Sequence, residues 1–152
     1  MSKKAFSLAM NKVQSFCAYR DRSKEEVRQK LTEFDLSEEE LKLIIDSLVV
    51  DNFINEERFV TGFVRGKFKI KKWGKHKIKA ALVSKRVATE LIKPALSLID
   101  EKEYIETLKA LVEKKMNEVK KKDPAEAKFK VARYAAAKGY ESDLIWDVLN
   151  EK

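Results

Sequence analysis

The residues that could do chemistry in this chain are almost all lysine and arginine. Between Arg58 and Thr89 stand Arg58, Arg65, Lys67, Lys69, Lys71, Lys72, Lys75, Lys77, Lys79, Lys85 and Arg86, with no Asp or Glu among them. The stretch before it, Ser23 to Glu57, is the reverse, with eleven acids against four bases. Like charges repel, so a concentrated cationic segment is a cost to the fold unless an anionic partner uses it. Phe68, Trp73 and His76 are interleaved with the lysines, and aromatic faces can stack on bases or pack against a protein groove. The candidate contact residues are therefore Arg65, Lys67, Lys69, Lys71, Lys72, Trp73, Lys75, Lys77, Lys79, Lys85 and Arg86. Trp73 has a second reading, because Gly74 follows it and a tight junction there would bury the indole as core. With no zinc-finger spacing and no leucine-zipper heptads, contact with nucleic acid would be to phosphate, hence salt-sensitive and sequence-blind.

Other chemistries lack their residues. One histidine, His76, and one cysteine, Cys17, cannot build a zinc site, and no acids fall at a metal-loop spacing. A nucleophilic triad is implausible with one histidine in a lysine-rich setting. The glycines Gly62, Gly66, Gly74 and Gly139 are scattered, and none belongs to a phosphate-binding GxxxxGK[ST] loop. Gly62 and Gly66 form GxxxG, read here as close helix packing because Arg65 and Lys67 rule out a membrane helix. The acids Glu38, Glu39 and Glu40 occupy a helix start, where they complement the dipole. We expect no catalytic site, no cofactor and no metal.

Composition sets the frame for these residues. The chain has 152 residues, a net charge of +8 and 44% apolar residues, enough for one ordinary domain or a few small repeated units. Gly and Pro total six, and Lys, Glu, Ala and Leu dominate, which favours an all-α protein. A lone cysteine permits no intrachain disulfide, and Cys17 reads as a buried small hydrophobe. No apolar run approaches the ~20 residues needed to span a bilayer, and the opening Met1-Ser-Lys-Lys does not lead into a signal peptide. A monomer in the cytoplasm, away from membranes, is the expectation.

Local signals mark the helices. Ser23 with Glu26 and Ser37 with Glu40 are capping-box pairs. Asp123 before Pro124 reads as N-cap and N1, Gly139 as a C-terminal stop, and Ser142 as the next cap. Helices are expected at about 4–19, 24–34, 38–51, 56–70, 75–85, 89–99, 101–121, 124–138 and 142–150. Pro94 falls just past the first turn of the sixth, where it would remove one backbone bond and bend the helix.

The apolar positions repeat. Anchored on Val27, Ile78 and Val131, Leu31, Leu82 and Ala135 stand four residues on, and Leu36, Val87 and Tyr140 nine on. Leu41, Ile92 and Ile145 stand fourteen on, and Ile44, Ala95 and Val148 seventeen on. The helix before the anchor aligns Leu8 with Phe59, Val13 with Val64, Cys17 with Phe68 and Tyr19 with Ile70. In the third copy that register is lost. The expectation is an all-α fold of three tandem three-helix-bundle units at 1–53 (acidic), 54–100 (basic) and 101–152, elongated and curved. The third, with its long leading helix ending in Lys120-Lys121-Lys122, either packs like the others or extends as an arm.

Two stretches carry a family resemblance. Tyr19-Arg-Asp-Arg-Ser-Lys-Glu-Glu-Val-Arg-Gln-Lys-Leu31 resembles the opening motif of the RecX regulatory proteins. The run DNFINEERFVTGFVRGKFKIKKWGKHKIKAAL, from Asp51 to Leu82, resembles that family's succession of acidic turn, Arg-Phe, Phe-Val-Arg, basic aromatic stretch, Gly and helix. The resemblance is strong from about residue 17 to 100, and in the third unit rests on Ala136-Ala-Lys-Gly-Tyr140 and the helix after it. It implies tandem three-helix repeats. It also implies a partner, the filament that the RecA recombinase forms on single-stranded DNA, whose ATP hydrolysis, extension and strand exchange such a protein suppresses. The motif residue Phe59 reads as core, and Arg58 as structural, pairing with an acid such as Glu57 or Asp51. Two other readings remain open: a nucleic-acid-binding module acting without RecA, and a helical scaffold with merely solubilising lysines.

Overall fold

A computed structural model describes residues 3–119 and 123–151. Among the described residues every regular element is helical. They are α1 (Lys3–Tyr19), α2 (Lys24–Leu31), α3 (Glu38–Val50), α4 (Glu56–Lys69), α5 (Lys75–Ser84), α6 (Ile92–Ser97, entered through a 3-10 turn at Thr89–Leu91), α7 (Glu101–Glu118), α8 (Pro124–Ala137) and α9 (Ser142–Leu149). The fold is a tandem array of three-helix units.

Both capping boxes form. The Ser23 hydroxyl accepts from the Glu26 amide at 3.1 Å while the Glu26 carboxylate accepts from the Ser23 amide at 3.1 Å. Ser37 and Glu40 do the same at 3.1 and 3.0 Å. Burial alone would raise the Glu26 carboxyl, but the Ser23 amide and the Arg20 guanidinium outweigh it and hold that group below its ordinary range. Asp123 caps α8 by accepting from the Ala125 amide at 3.0 Å, with Pro124 at N1. Ser142 does not cap α9: it is the first helical residue, and Glu141 at the N-cap makes no side-chain cap bond because its carboxylate is used elsewhere. α2 also stops earlier than expected, at Leu31, where the Thr32 amide folds back onto Gln29 and Lys30 carbonyls. Pro94 removes no backbone bond from α6. That helix begins at Ile92, so proline occupies its first turn, where a missing N–H costs nothing.

The repeat is visible as burial. Val27, Ile78 and Val131 are all 0% exposed, and so are Leu31, Leu82 and Ala135. In the leading helices the buried triplets are Ala9, Val13, Cys17 and Val60, Val64, Phe68. Leu8, which the alignment paired with buried Phe59, is exposed, and Tyr19 and Ile70 are both exposed. The third leading helix keeps the same i, i+4, i+8 spacing in Tyr104, Leu108 and Val112. Its register slips because nineteen residues separate Val112 from Val131, where ten separate Cys17 from Val27 and Phe68 from Ile78. The third copy is therefore a packed three-helix unit with a longer first connection; Lys120, Lys121 and Lys122 lie outside the described residues.

The chain divides into two compact units, one of α1 to α3, the chain on to Gly62 and Leu82–Leu91, the other of Phe63–Ala81 and the chain from Ile92. The core of the first is Ala9, Val13, Cys17, Val27, Leu31, Ile44, Ile45, Leu48 and Ile54. Burial raises the Cys17 thiol, consistent with a packing role. Arg58 pairs neither with Glu57 nor with Asp51: its Nε donates to Asp21 Oδ1 at 2.6 Å. Glu56 holds two backbone amides in the same unit, Lys24 at 3.1 Å and Ala88 at 3.2 Å.

The GxxxG pair does not serve close helix packing. A Cβ built on Gly62 or Gly66 meets nothing within 4 Å. Glycine within a helix costs about 0.5–1 kcal/mol relative to alanine, and neither position recovers that through contact within the chain. Gly62→Ala is expected to stabilise the protein by about 0.5–1 kcal/mol, read as a higher urea midpoint at unchanged slope; a lower midpoint would mean a neighbour packs there.

Candidate anion-binding interface

The basic segment is the end of α4, a five-residue connection and α5. α4 closes with the Lys72 amide donating to the Phe68 carbonyl at 3.1 Å and the Trp73 amide to the Lys67 carbonyl at 3.1 Å. Lys72 takes a left-handed conformation, φ 61°, at this close. A non-glycine residue holds such a φ when its surroundings over-determine it. Here the Tyr140 hydroxyl donates to the Lys72 carbonyl at 2.9 Å.

The turn between α8 and α9 grips this connection. The Gly74 amide donates to the Lys138 carbonyl at 2.7 Å, and the His76 amide to the Gly139 carbonyl at 2.9 Å. Gly139 has φ 104°, a conformation L side chains rarely adopt. The Lys75 amide donates to the Tyr104 hydroxyl at 2.9 Å, and that hydroxyl donates to Glu141 Oε1 at 2.5 Å. Tyr104 packs between Phe68 and Tyr140, with ring centroids 5.8 and 5.1 Å away. Burial first, and then the bond to Glu141, push the Tyr104 phenol far above its ordinary range; burial does the same for Tyr140. Both stay neutral, so the hydroxyls that hold the connection remain donors.

The cations on this frame are of three kinds. Lys69 pairs with Glu103 at 2.5 Å, and Lys75 with Glu101 at 3.3 Å while lying 4.6 Å from the Tyr104 ring. Lys67 and Lys77 place their ammonium groups 4.9 and 4.6 Å from the centre of the half-buried Trp73 ring. Arg65, Lys71, Lys72 and Lys79 are exposed, and their side chains make no ion pair among the described residues. Ile70, 78% exposed, sits among them. Lys85 and Arg86 belong to the other compact unit, where the Lys85 charge helps hold the Glu26 carboxyl down. Nine of the eleven candidate residues thus lie on one unit, on the end of α4, the connection and α5. Among the described residues no group of three or more His, Cys, Asp or Glu could hold a metal ion, and no helix is long and apolar enough to cross a membrane.

The groups that hold the connection, Tyr104, Glu141 and the Lys138–Tyr140 turn, were not candidates. They are 29 to 68 residues away in sequence, and no local pattern signals such a bond. The one available cue was Gly139 beside Tyr140, which reads locally as a helix stop.

Residues 55–96 match the profile of the RecX second three-helix domain, and residues 101–149 that of the third. The chain belongs to the RecX family. The regulatory protein RecX of Clostridioides difficile (strain 630) is 30% identical over 144 residues, covering 94% of this chain and 67% of that protein. RecX of Clostridium perfringens (strain SM101 / Type A) is 34% identical over 124 residues, or 80% of this chain; the chain spans 58% of that relative's length. The crystal structure of RecX from Lactobacillus salivarius superposes with a TM-score of 0.90 at 24% identity, covering 97% of this chain and 96% of that one. The matched RecX domains include the basic connection and the turn that grips it.

Proposed function

We propose that this chain binds the RecA filament on single-stranded DNA and inhibits or modulates its ATPase, extension and strand exchange. The observation that carries the reading is the set of exposed cations, unpaired among the described residues, on the end of α4, α5 and a connection braced by part-buried hydrogen bonds, in a chain of the RecX family. A rigid frame lets those charges meet an anionic surface without first being ordered, which lowers the entropic cost of binding. Three tandem units, at 1–53, 54–100 and 101–152, can engage more than one protomer of a polymer, favouring filament over free subunits through effective concentration. Bridged protomers would resist the subunit rotations that hydrolysis and strand exchange require. The chain acts by binding, as a monomer in the cytoplasm, and catalyses nothing itself.

A second reading has an observation behind it too. Trp73, lying between two lysines, could take a stacked base, so the same connection suits sequence-blind binding to nucleic acid without RecA. One pair of measurements separates the two: RecA ATPase on single-stranded DNA titrated with this protein, and anisotropy of the same DNA without RecA. Inhibition at substoichiometric protein, with weak binding to naked DNA, is the expected result. Tight binding to naked DNA, with ATPase lost only as the DNA saturates, would replace the filament-directed reading with simple competition.

A further inference from the structure

The first compact unit, acidic overall, contains a cationic cavity that the filament reading does not use. Lys12, Ser15, Phe16, Tyr19, Arg22 and Lys30 line an open cavity of about 410 Å³. Arg22 is 9% exposed, and no carboxylate pairs with it among the described residues. Its Nε donates to the Phe16 carbonyl at 3.0 Å, and its Cζ lies 3.7 Å from the centre of the Phe16 ring. Its two terminal nitrogens make no hydrogen bond among the described residues. No buried side-chain nitrogen or oxygen among the described residues lacks a partner, so these two nitrogens are open to solvent in the cavity and can take an anionic ligand without breaking a bond.

The neighbouring acids are already committed. Glu26 accepts from Arg20 at 2.8 Å and from the Ser23 amide at 3.1 Å. Glu33 pairs with Lys30 at 2.8 Å and with Lys12 at 3.8 Å. One carboxylate therefore answers two rim lysines, and with Arg22 the cavity keeps a surplus of two positive charges. A phosphomonoester, with about −1.5 to −2 charge at neutral pH, matches that surplus, where a carboxylate would leave half of it. The fork of Arg22 suits bidentate contact with phosphate oxygens. The Tyr19 ring, 84% exposed and 5.8 Å from the guanidinium, offers an open aromatic face beside it. The volume falls in the roughly 300–1,000 Å³ range of small-molecule sites.

We propose that this cavity binds a phosphomonoester attached to a flat ring, of the size of a mononucleotide, with phosphate on Arg22 between Lys12 and Lys30 and the ring against Tyr19. The site is independent of the basic connection and of the RecA reading. The test is titration of the isotope-labelled chain with AMP, and separately with inorganic phosphate, followed by amide chemical shifts. AMP should give saturable shifts among residues 12–30 with a Kd below about 1 mM. Ser15→Asp, which sets a carboxylate on the cavity wall in place of the ligand, should weaken AMP at least about tenfold without changing the fold, since Ser15 is exposed. Lys12→Gln, on the rim, should weaken both probes, and Tyr19→Ala should weaken AMP but not phosphate. Absent or unsaturable shifts, shifts confined to residues 63–81, unchanged affinity in Ser15→Asp, or phosphate binding as tight as AMP would each overturn the proposal.

Discussion

Changing Arg65, Lys71 and Lys79 together to glutamate is expected to raise the protein concentration for half-inhibition of RecA ATPase by about 100-fold or more at ~0.15 M salt, with the thermal midpoint unchanged. The three side chains are exposed and make no ion pair among the described residues, so their reversal costs the fold nothing it now uses. Each substitution removes an attraction and adds a repulsion toward the same anionic surface, which is why the expected loss is large. Lys69 and Lys75 are poorer probes, since reversal would set a glutamate against Glu103 or Glu101. At Lys75 it would also place a carboxylate beside the Tyr104 ring, so lost inhibition there would mix stability with binding. Retained inhibition in the triple variant would remove these residues from the interface and favour a scaffold with solubilising lysines.

Gly74→Ala is expected to destabilise the protein by about 3 kcal/mol or more, read as a lower urea midpoint. A Cβ there would stand 2.3 Å from the Gly139 carbonyl carbon and 2.4 Å from the Tyr140 amide nitrogen. The obstruction is backbone, which cannot rotate away as a side-chain tip can. Relief would break the Gly74–Lys138 and His76–Gly139 bonds and release the Lys72 carbonyl from Tyr140. Gly139→Ala should behave alike, because its Cβ would meet Lys77 Cβ at 2.4 Å and its φ is positive. The contrast with Gly62→Ala is the informative part: two glycines of one segment, substituted identically, should shift stability in opposite directions. Near-native stability of Gly74→Ala would show that the two turns do not pack this closely.

The helices were legible because their signals are local. Ser23 with Glu26, Ser37 with Glu40 and Asp123 with Pro124 each act within one turn, and each caps as its spacing indicates. The anchor residues of the repeat are buried because core-facing positions recur with helical period whatever the helix packs against. Alignment by offset failed where chain length changed: the nineteen-residue step after Val112 hid a triplet that keeps its spacing, whereas Leu8, in register with buried Phe59, is simply exposed. Arg58 was assigned a nearby acid and found one 37 residues away.

The sequence by itself determined that the protein is helical, tandem in organisation, and basic between Arg58 and Thr89, because period, caps and charge are properties of short stretches. Only the tertiary structure decided which of those charges are available. Glu101 and Glu103 neutralise Lys75 and Lys69 across 26 and 34 residues, while Arg65, Lys71 and Lys79 are left to solvent. It also decided what the glycines are for: Gly74 and Gly139 permit two backbones to meet, and Gly62 and Gly66 meet nothing. In the acidic unit it put an unpaired guanidinium, Arg22, in the wall of a cavity. A side chain's charge is written in its residue type, but its partner is set by distance through space, and in a packed chain that distance has no fixed relation to separation along the sequence.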